Sequence, residues 1–195
     1  MFDVEKVRED FPIFRNVKKM QNNRFVYLDN AATSFKPQCV IDACDLYYEK
    51  ECANAHRGDY DLAYSVDEKV DEVRQKVGNF INAKKEEIVF TSGASMSLNL
   101  IAFGYGFKYL KKGDEVLLTE AEHASNVLPW FKVKDLTGCS IGYIPLDREG
   151  KLTPEAVEKA ITPNTKIVSI AQVTNVLGYI IDIKSIAKIC HKHNI

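Results

Sequence analysis

The 195-residue chain lacks the features that mark membrane, secreted and nucleic-acid-binding proteins. No apolar run approaches the ~20 residues that a membrane-spanning helix needs. Basic and acidic residues nearly balance, at 26 and 27, so no excess positive charge favours nucleic acid or an anionic membrane. The amino terminus is charged and does not resemble a secretory leader. We therefore expect a cytoplasmic protein with small-molecule partners, and neither a membrane nor a nucleic acid among them.

Cysteine and histidine are few, and their spacing does not predict a metal site. The five cysteines are an odd number without a Cys-x2-Cys pair, which favours a reducing compartment. Cys190, His191 and His193 lie close together, but on a helix the two histidines point about 200° apart and cannot bind one ion. Cys190 and His193 share a face without a further ligand nearby in sequence. We expect an ordinary amphipathic helix there and no metal.

Repeats, low-complexity stretches and Gly/Ser linkers are also absent, and what remains is an alternation of strands and helices. Short apolar runs bounded by turn residues predict strands, and apolar residues at helical spacing predict helices. Such alternation is typical of an α/β protein with a mostly parallel sheet covered on both faces. The predicted strands are residues 24–28, 86–90, 114–120, 139–146 and 166–173, and the main predicted helices are residues 36–51, 62–81, 95–110, 125–138, 153–161 and 181–193.

The loops that follow these strands hold the candidate functional residues, because ligands of open α/β sheets bind beyond the carboxyl ends of the strands. After residues 86–90 the sequence TSGAS opens a helix, and small residues there leave backbone N–H groups free for a phosphate. Ser95 could equally be a plain helix N-cap, with Gly93 shaping the turn. After residues 114–120 comes His123, which could be functional or a surface residue.

Three further loops have both a functional and a structural interpretation. Asn175 in TNVLG could donate and accept hydrogen bonds to a ligand, or could only shape a turn with Gly178. The small residues of DNAAT allow close backbone approach to a ligand, and a simple turn is as plausible. Arg57, next to His56, could bind a carboxylate or phosphate in two-pronged fashion, or could belong to a solvated loop.

Taken together, the segments YLDNAATSFKP, ANAHRGDYDLA, VFTSGAS, TEAEHASNVLPW and VTNVLG resemble one family in order and spacing. The chain is similar to class V aminotransferases, which use pyridoxal 5'-phosphate, and most similar to SufS-like cysteine desulfurases and selenocysteine lyases. This resemblance implies an α/β fold, the large domain of a fold-type-I pyridoxal-phosphate-dependent transferase. We expect an N-terminal segment over residues 1–22 and the incomplete large domain over residues 23–195.

The resemblance also implies roles for individual residues. Ala94 and Ser95 match the positions that hold the cofactor phosphate, His123 matches the catalytic histidine that stacks on the pyridine ring, and Asn175 matches the asparagine near the ring hydroxyl and substrate. Four further residues match the family's substrate-side loops, through motifs that are less specific. These are Asn30, Ala31, His56 and Arg57. Met96 stands where the family usually has glutamate.

Other parts of the family pattern have no match in these 195 residues. They are the Asp-x-x-Gln segment, the Schiff-base lysine, the mobile-loop cysteine and the arginine that binds the substrate carboxylate. The resemblance places all of them after residue 195. Pyridoxal-phosphate chemistry needs the aspartate to keep the pyridine nitrogen protonated and the lysine to hold the cofactor. We therefore expect the chain to be inactive alone.

The resemblance predicts the N-terminal part of a cysteine desulfurase, which converts cysteine to alanine and an enzyme-bound persulfide for iron–sulfur cluster assembly or other sulfur delivery. It further implies a homodimer in the complete protein and a sulfur-acceptor partner. Other members of the class remain open alternatives: a selenocysteine lyase, a kynureninase-like enzyme or an epimerase. A non-catalytic truncated product is an alternative of a different kind.

Overall fold

The computed structural model describes residues 2–195, and the chain divides into two units. The first unit ends at Val89 and the second runs from Phe90 to Ile195. Among the described residues, no helix is both long enough and apolar enough to cross a membrane. The predicted domain boundary after residue 22 stays a prediction.

The first unit is mainly helical, with one short antiparallel β-ribbon. A cluster of aromatic rings around Phe14, Phe25 and Phe35 packs its N-terminal part, with ring centroids 5.6–5.9 Å apart. Its elements are helices α1 (Val4–Glu9), α2 (Pro12–Asn16), α3 (Gln38–Leu46) and α4 (Asp61–Ile81), strands β1 (Lys19–Met20) and β2 (Asn23–Arg24), a π-helical turn (Tyr47–Glu51) and a 3-10 turn (Lys85–Glu87).

Two predicted strands are wrong over most of their length. Only Asn23–Arg24 is paired in the region of residues 24–28, because Phe25 turns into the aromatic cluster and is buried there. Residues 86–90 do not form a strand either. The backbone N–H of Lys84 donates to Glu87 Oε2 at 2.7 Å, which stabilises a 3-10 turn at the point where the strand was expected to begin.

The second unit alternates strands and helices, as predicted. The three predicted strands here are present, but the strand predicted over residues 166–173 ends at Val168. The predicted helix over residues 95–110 is interrupted by a π-helical turn. The elements are helices α5 (Ala94–Ile101), α6 (Phe107–Tyr109), α7 (Ala124–Thr137), α8 (Pro154–Ala160) and α9 (Ile183–Lys192), the π-helical turn (Ala102–Gly106), and strands β3 (Glu115–Thr119), β4 (Ser140–Ile144) and β5 (Thr165–Val168).

The three strands form a parallel sheet in the order β4-β3-β5. Glu115 pairs with Ser140 and Thr119 with Ile144, so β3 and β4 end at the same level. The β3–β5 pairing has an irregularity between Glu115 and Val116. The carboxyl ends of β3 and β5 therefore lie side by side, and the loops that follow them start from one edge of the sheet.

Side chains of β3 alternate between two hydrophobic cores, one on each face of the sheet. Val116 and Leu118 pack in the first core, and Leu117 packs in the second. This is the period of two expected for a strand that is buried on both faces. The first core also contains Ala102, Leu110, Trp130, Val133 and Cys139, and the second contains Ile144, Leu152, Val157, Ile181, Ile186 and Cys190.

The π-helical turn between α5 and α6 follows from close packing on α7. Gly106 lies so close to α7 that an added Cβ would be 3.1 Å from Val133 Cγ1 and 3.4 Å from Trp130 Cζ3. Ala102 is also fully buried in this core. Small residues at these two positions let this turn approach α7, and α5 also packs against α7.

Two predicted helix ends are confirmed by their capping residues. Thr153 caps α8 by accepting from the Ala156 N–H at 3.2 Å, with Pro154 in the first turn. Gly138 ends α7 in the left-handed region at φ 74°. At the end of the chain, α9 buries Ile186 and Cys190, and His193 is its C-cap.

Asp182 links the stability of α9 to pH. Its carboxylate accepts from the Ser185 N–H at 3.1 Å and from the Ser185 hydroxyl at 2.7 Å, and these hydrogen bonds hold its pKa below the ordinary aspartate value. A carboxyl whose pKa is lowered by folding stabilises the folded state above its unfolded pKa. The contribution is lost as the pH falls through the folded pKa.

We expect Asp182→Ala to lower the thermal midpoint at neutral pH and to reduce the loss of stability on acidification. Asp182→Asn keeps a capping oxygen but does not titrate, so it serves as the matched control. The measurement is the midpoint of thermal unfolding, followed by circular dichroism from neutral to acidic pH. An Asp182→Ala midpoint that falls with acid as steeply as the wild type would contradict this role.

Candidate functional site

The carboxyl edge of the sheet carries a pocket between the loops after β3 and β5. Residues 120–124 and 174–177 line this cavity, which measures about 490 Å³. His123 and Asn175, which follow two different strands in the sequence, are both on its wall. The structure therefore brings these two predicted site residues together.

His123 is the N-cap of α7. Its ring Nδ1 accepts from the Ser125 backbone N–H at 3.1 Å and lies 2.7 Å from the Ser125 hydroxyl. Because a backbone N–H can only donate, Nδ1 carries no proton in this arrangement, and a neutral ring carries its proton on Nε2. The cap thus fixes both the orientation and the tautomer of a histidine whose surface is exposed.

Asn175 lies at the tip of a tight loop that Thr174 closes. The Gly178 N–H donates to the Thr174 carbonyl at 3.0 Å, and the Tyr179 N–H donates to the Thr174 hydroxyl at 3.2 Å. Gly178 has φ 70°, a conformation that favours glycine. Thr174 is buried while Asn175 is exposed, so the loop presents the amide of Asn175 outward from a fixed base.

The first turn of α5 has no capping side chain, and Ser95 is not its cap. The N-cap is Gly93, which has φ 154° and ψ 174° and no side chain to satisfy the amides of the first turn. Such backbone angles are nearly restricted to glycine. Ala94 and Ser95 are exposed at the first two helical positions. Helix N-terminal amides without a capping side chain favour an anion.

Met96 stands in this turn at the position where the resemblance predicts glutamate, and Ser92 lies next to it. The Ser92 hydroxyl lies 3.3 Å from the Met96 sulfur. Thr91 approaches Ser97 with 2.8 Å between their hydroxyl oxygens. Met96 therefore replaces a charged group with a weak acceptor and leaves the backbone of the turn in helical geometry.

The four predicted substrate-side residues belong to the first unit. Asn30 and Ala31 are exposed in a turn closed by the Ala32 N–H, which donates to the Asp29 carbonyl at 3.2 Å. His56 adopts φ 58°, and its backbone N–H donates to Asp67 Oδ1 at 2.6 Å. Arg57 follows it and is exposed.

Sequence reasoning missed Glu122, which lines the pocket, and the buried Thr119 and Asn126 that hold it. Thr119 Oγ1 donates to Glu122 Oε1 at 2.9 Å, and Asn126 Nδ2 donates to Glu122 Oε2 at 2.8 Å. The available signal was a polar residue at the end of the apolar run of β3, followed by a Glu/Asn pair four residues apart. Only the fold shows that these side chains meet.

The chain matches the family model described as aminotransferase class-V over residues 26–195. The chain belongs to the class V aminotransferase family. It is 41% identical over 192 residues to a probable cysteine desulfurase of Halalkalibacterium halodurans, covering 98% of this chain and 47% of that protein. It is also 44% identical over 198 residues to a probable cysteine desulfurase of Borreliella burgdorferi, covering 99% of this chain and 46% of that one.

A solved structure supports the same family assignment. The apo cysteine desulfurase from Thermococcus onnurineus NA1 superimposes with a TM-score of 0.88 at 39% identity, over 99% of this chain and 46% of that one. This likeness confirms the predicted fold class, the α/β large domain of a fold-type-I transferase. The chain spans about half the length of the class V relatives it matches.

We expect His123→Ala to destabilise the start of α7 by about 1 kcal/mol, the typical loss when a capping side chain is replaced by alanine. His123→Asn is the matched control, because asparagine is a good N-cap that lacks the aromatic ring. Chemical denaturation of both variants measures the difference. Equal stability of His123→Ala and the wild type would show that the ring does not cap α7.

Proposed function

We propose that the chain is the N-terminal part of a pyridoxal-phosphate-dependent cysteine desulfurase, with residues 23–195 in its large domain. The observation that carries this proposal is the pocket at the carboxyl edge of the sheet, whose wall contains both His123 and Asn175. His123 caps α7, the helix on which α5 packs. The names of the class V relatives supply the reaction. The complete enzyme would take the sulfur of cysteine onto an enzyme thiol, releasing alanine and leaving a persulfide.

The residues present fit the cofactor. The bare first turn of α5, with Gly93 as its N-cap, suits a phosphate dianion, and Ala94 and Ser95 would bind it through their N–H groups and the Ser95 hydroxyl. The exposed, capped ring of His123 offers a flat surface for an aromatic ring. Asn175 would donate to or accept from a polar ring substituent.

The residues of this chain would bind and orient, and the cofactor carries the electronic part of the reaction. When bound, pyridoxal 5'-phosphate supplies the electron sink for bond cleavage at an amino acid. His123 would keep its Nε2 proton toward the pocket, where it can donate to or exchange a proton with the substrate. Asn30, Ala31, His56 and Arg57 are proposed to lie on the substrate side, with the guanidinium of Arg57 available to a carboxylate or a phosphate.

The remaining parts of the proposal concern the complete protein. We propose a cytoplasmic homodimer that passes its sulfur to an acceptor protein. The family likeness supports the homodimer and the acceptor, and five cysteines without a Cys-x2-Cys pair favour a reducing compartment.

We expect purified residues 1–195 to bind pyridoxal 5'-phosphate reversibly, and Ser95→Ala to weaken that binding by about 1–3 kcal/mol, the range for losing a hydrogen bond to a charged group. Ser97→Ala is the matched control, because Ser97 lies two residues further along the same helix and its hydroxyl contacts that of Thr91. Fluorescence titration with competition by inorganic phosphate measures the affinities. If Ser95→Ala and the wild type bind equally well, the α5 turn does not hold the phosphate.

The desulfurase proposal is tested by joining residues 1–195 to the C-terminal half of the Thermococcus onnurineus enzyme. Residues 1–195 alone should release no sulfide from cysteine, since none of their lysines matches the family's cofactor lysine. With dithiothreitol present to reduce the enzyme persulfide back to the thiol, the chimera should release sulfide and alanine in equal amounts, and His123→Asn should abolish both while it folds normally. A folded chimera that binds the cofactor but leaves cysteine intact would exclude the desulfurase assignment, and an active isolated chain would refute the expected dependence on the C-terminal half.

A further inference from the structure

Glu122, the residue before His123, gathers hydrogen-bond donors from three separate elements. Its Oε1 accepts from the Thr119 hydroxyl at 2.9 Å and from the Ala171 backbone N–H at 3.0 Å. Its Oε2 accepts from the Asn126 side-chain amide at 2.8 Å. The donors come from the end of β3, the segment after β5 and the first turn of α7. One carboxylate thus joins the two loops that form the pocket wall.

Asn126 extends this network to the end of β5. Its Oδ1 accepts from the Ser169 hydroxyl at 2.6 Å, and its side chain is buried, with 5% of its surface exposed. Thr119 is also buried, at 1%. A polar side chain in such surroundings adopts one orientation, because any other would leave a donor or acceptor without a partner.

A carboxylate at this position would be energetically unfavourable if its only role were packing. A buried or half-buried charge costs desolvation free energy, and neutral residues of similar shape often stabilise a fold as well or better. What the carboxylate adds here is directional geometry, since its two oxygens hold three donors from three elements. Ala171 lies four residues before Asn175, and Glu122 lies one residue before His123. The carboxylate therefore fixes the spacing between the two sides of the pocket.

We propose that Glu122 is a positioning residue, which with Asn126 sets the distance between His123 and Asn175 and so the gap that receives a flat ligand ring. The nature of that ring rests on the proposed function, whereas the link between the two loops does not. Glu122 acts through its neighbours and is not itself in the reaction. We call Glu122, Asn126, Thr119, Ser169 and the Ala171 N–H the Glu122 network.

Because each hydrogen bond of the network has a known donor and acceptor, substitutions that swap a donor group for an acceptor group can test it. In Glu122→Gln, one oxygen still accepts from Thr119 and Ala171, while the new amide meets the Asn126 amide. Asn126 can then turn over, because the Ser169 hydroxyl both donates and accepts. We therefore expect Glu122→Gln to keep the network. Glu122→Ala removes all three acceptor contacts.

Asn126→Asp provides a second, opposite perturbation. It places two carboxylates at the 2.8 Å contact, where they repel each other. In the double variant Glu122→Gln/Asn126→Asp, the new amide donates to the new carboxylate and Ser169 still donates to it. The double variant should therefore restore what Asn126→Asp breaks. Such rescue by a matched pair is not expected if the residues only fill space.

Amide hydrogen exchange of purified residues 1–195, without cofactor, is the main measurement. In Glu122→Ala and Asn126→Asp, we expect residues 120–126 and 169–177 to exchange about tenfold faster, the factor that corresponds to losing one hydrogen bond to a charged group. Glu122→Gln and the double variant should exchange near the wild-type rate. Helix α8 (Pro154–Ala160), which contributes no residue to the network, should be unchanged in every variant. Glu120→Ala is the control for an exposed acid in the same loop.

The outcomes separate this inference from the proposed function. Faster exchange confined to both loops, with rescue, supports the Glu122 network. If the variants show this exchange pattern but the wild type binds no pyridoxal 5'-phosphate, the network stands and the proposed function fails. Unchanged exchange of residues 169–177 in Glu122→Ala overturns the inference. Equal acceleration throughout the second unit, including α8, also overturns it, because Glu122 would then be a general contributor to stability.

Discussion

The second unit depends on one strand that is buried on both faces. β3 sends Val116 and Leu118 into one hydrophobic core and Leu117 into the other, so neither layer of helices can pack without it. Removing this much apolar surface from water is the main favourable contribution to folding. Because β3 is also the central strand, its carboxyl end is held by a neighbouring strand on each side. The loop that follows this end lines the pocket.

The change from apolar to polar residues at the end of β3 places the candidate site directly after a rigid strand. Thr119 is still buried, and it is the first residue of the strand whose side chain donates to the loop that follows. The loop leads directly into α7, whose cap is the exposed ring of His123. A functional group placed between a buried strand and a capped helix has little freedom, which is the condition for a preorganised site.

The strand-and-helix order of the second unit was predictable from the sequence, because each apolar run there forms a strand that pairs with another strand of the sheet. It failed at residues 24–28 and 86–90, where the same β-forming residues instead enter an aromatic cluster or follow a 3-10 turn. His123 and Asn175 could be proposed from their places after strands. Glu122 could not, because its role depends on the Ala171 N–H, and a backbone group 49 residues away leaves no pattern in the sequence.

The five cysteines are distributed so that each sheet face of the second unit contains one thiol. Cys139 is buried in the first core and Cys190 in the second, and burial raises the pKa of the Cys190 thiol. Cys39, Cys44 and Cys52 are exposed and all lie in the first unit. A thiol reagent should therefore modify the three exposed sulfurs of the first unit well before the two buried sulfurs of the second. Chemical labelling thus distinguishes the two units within one chain.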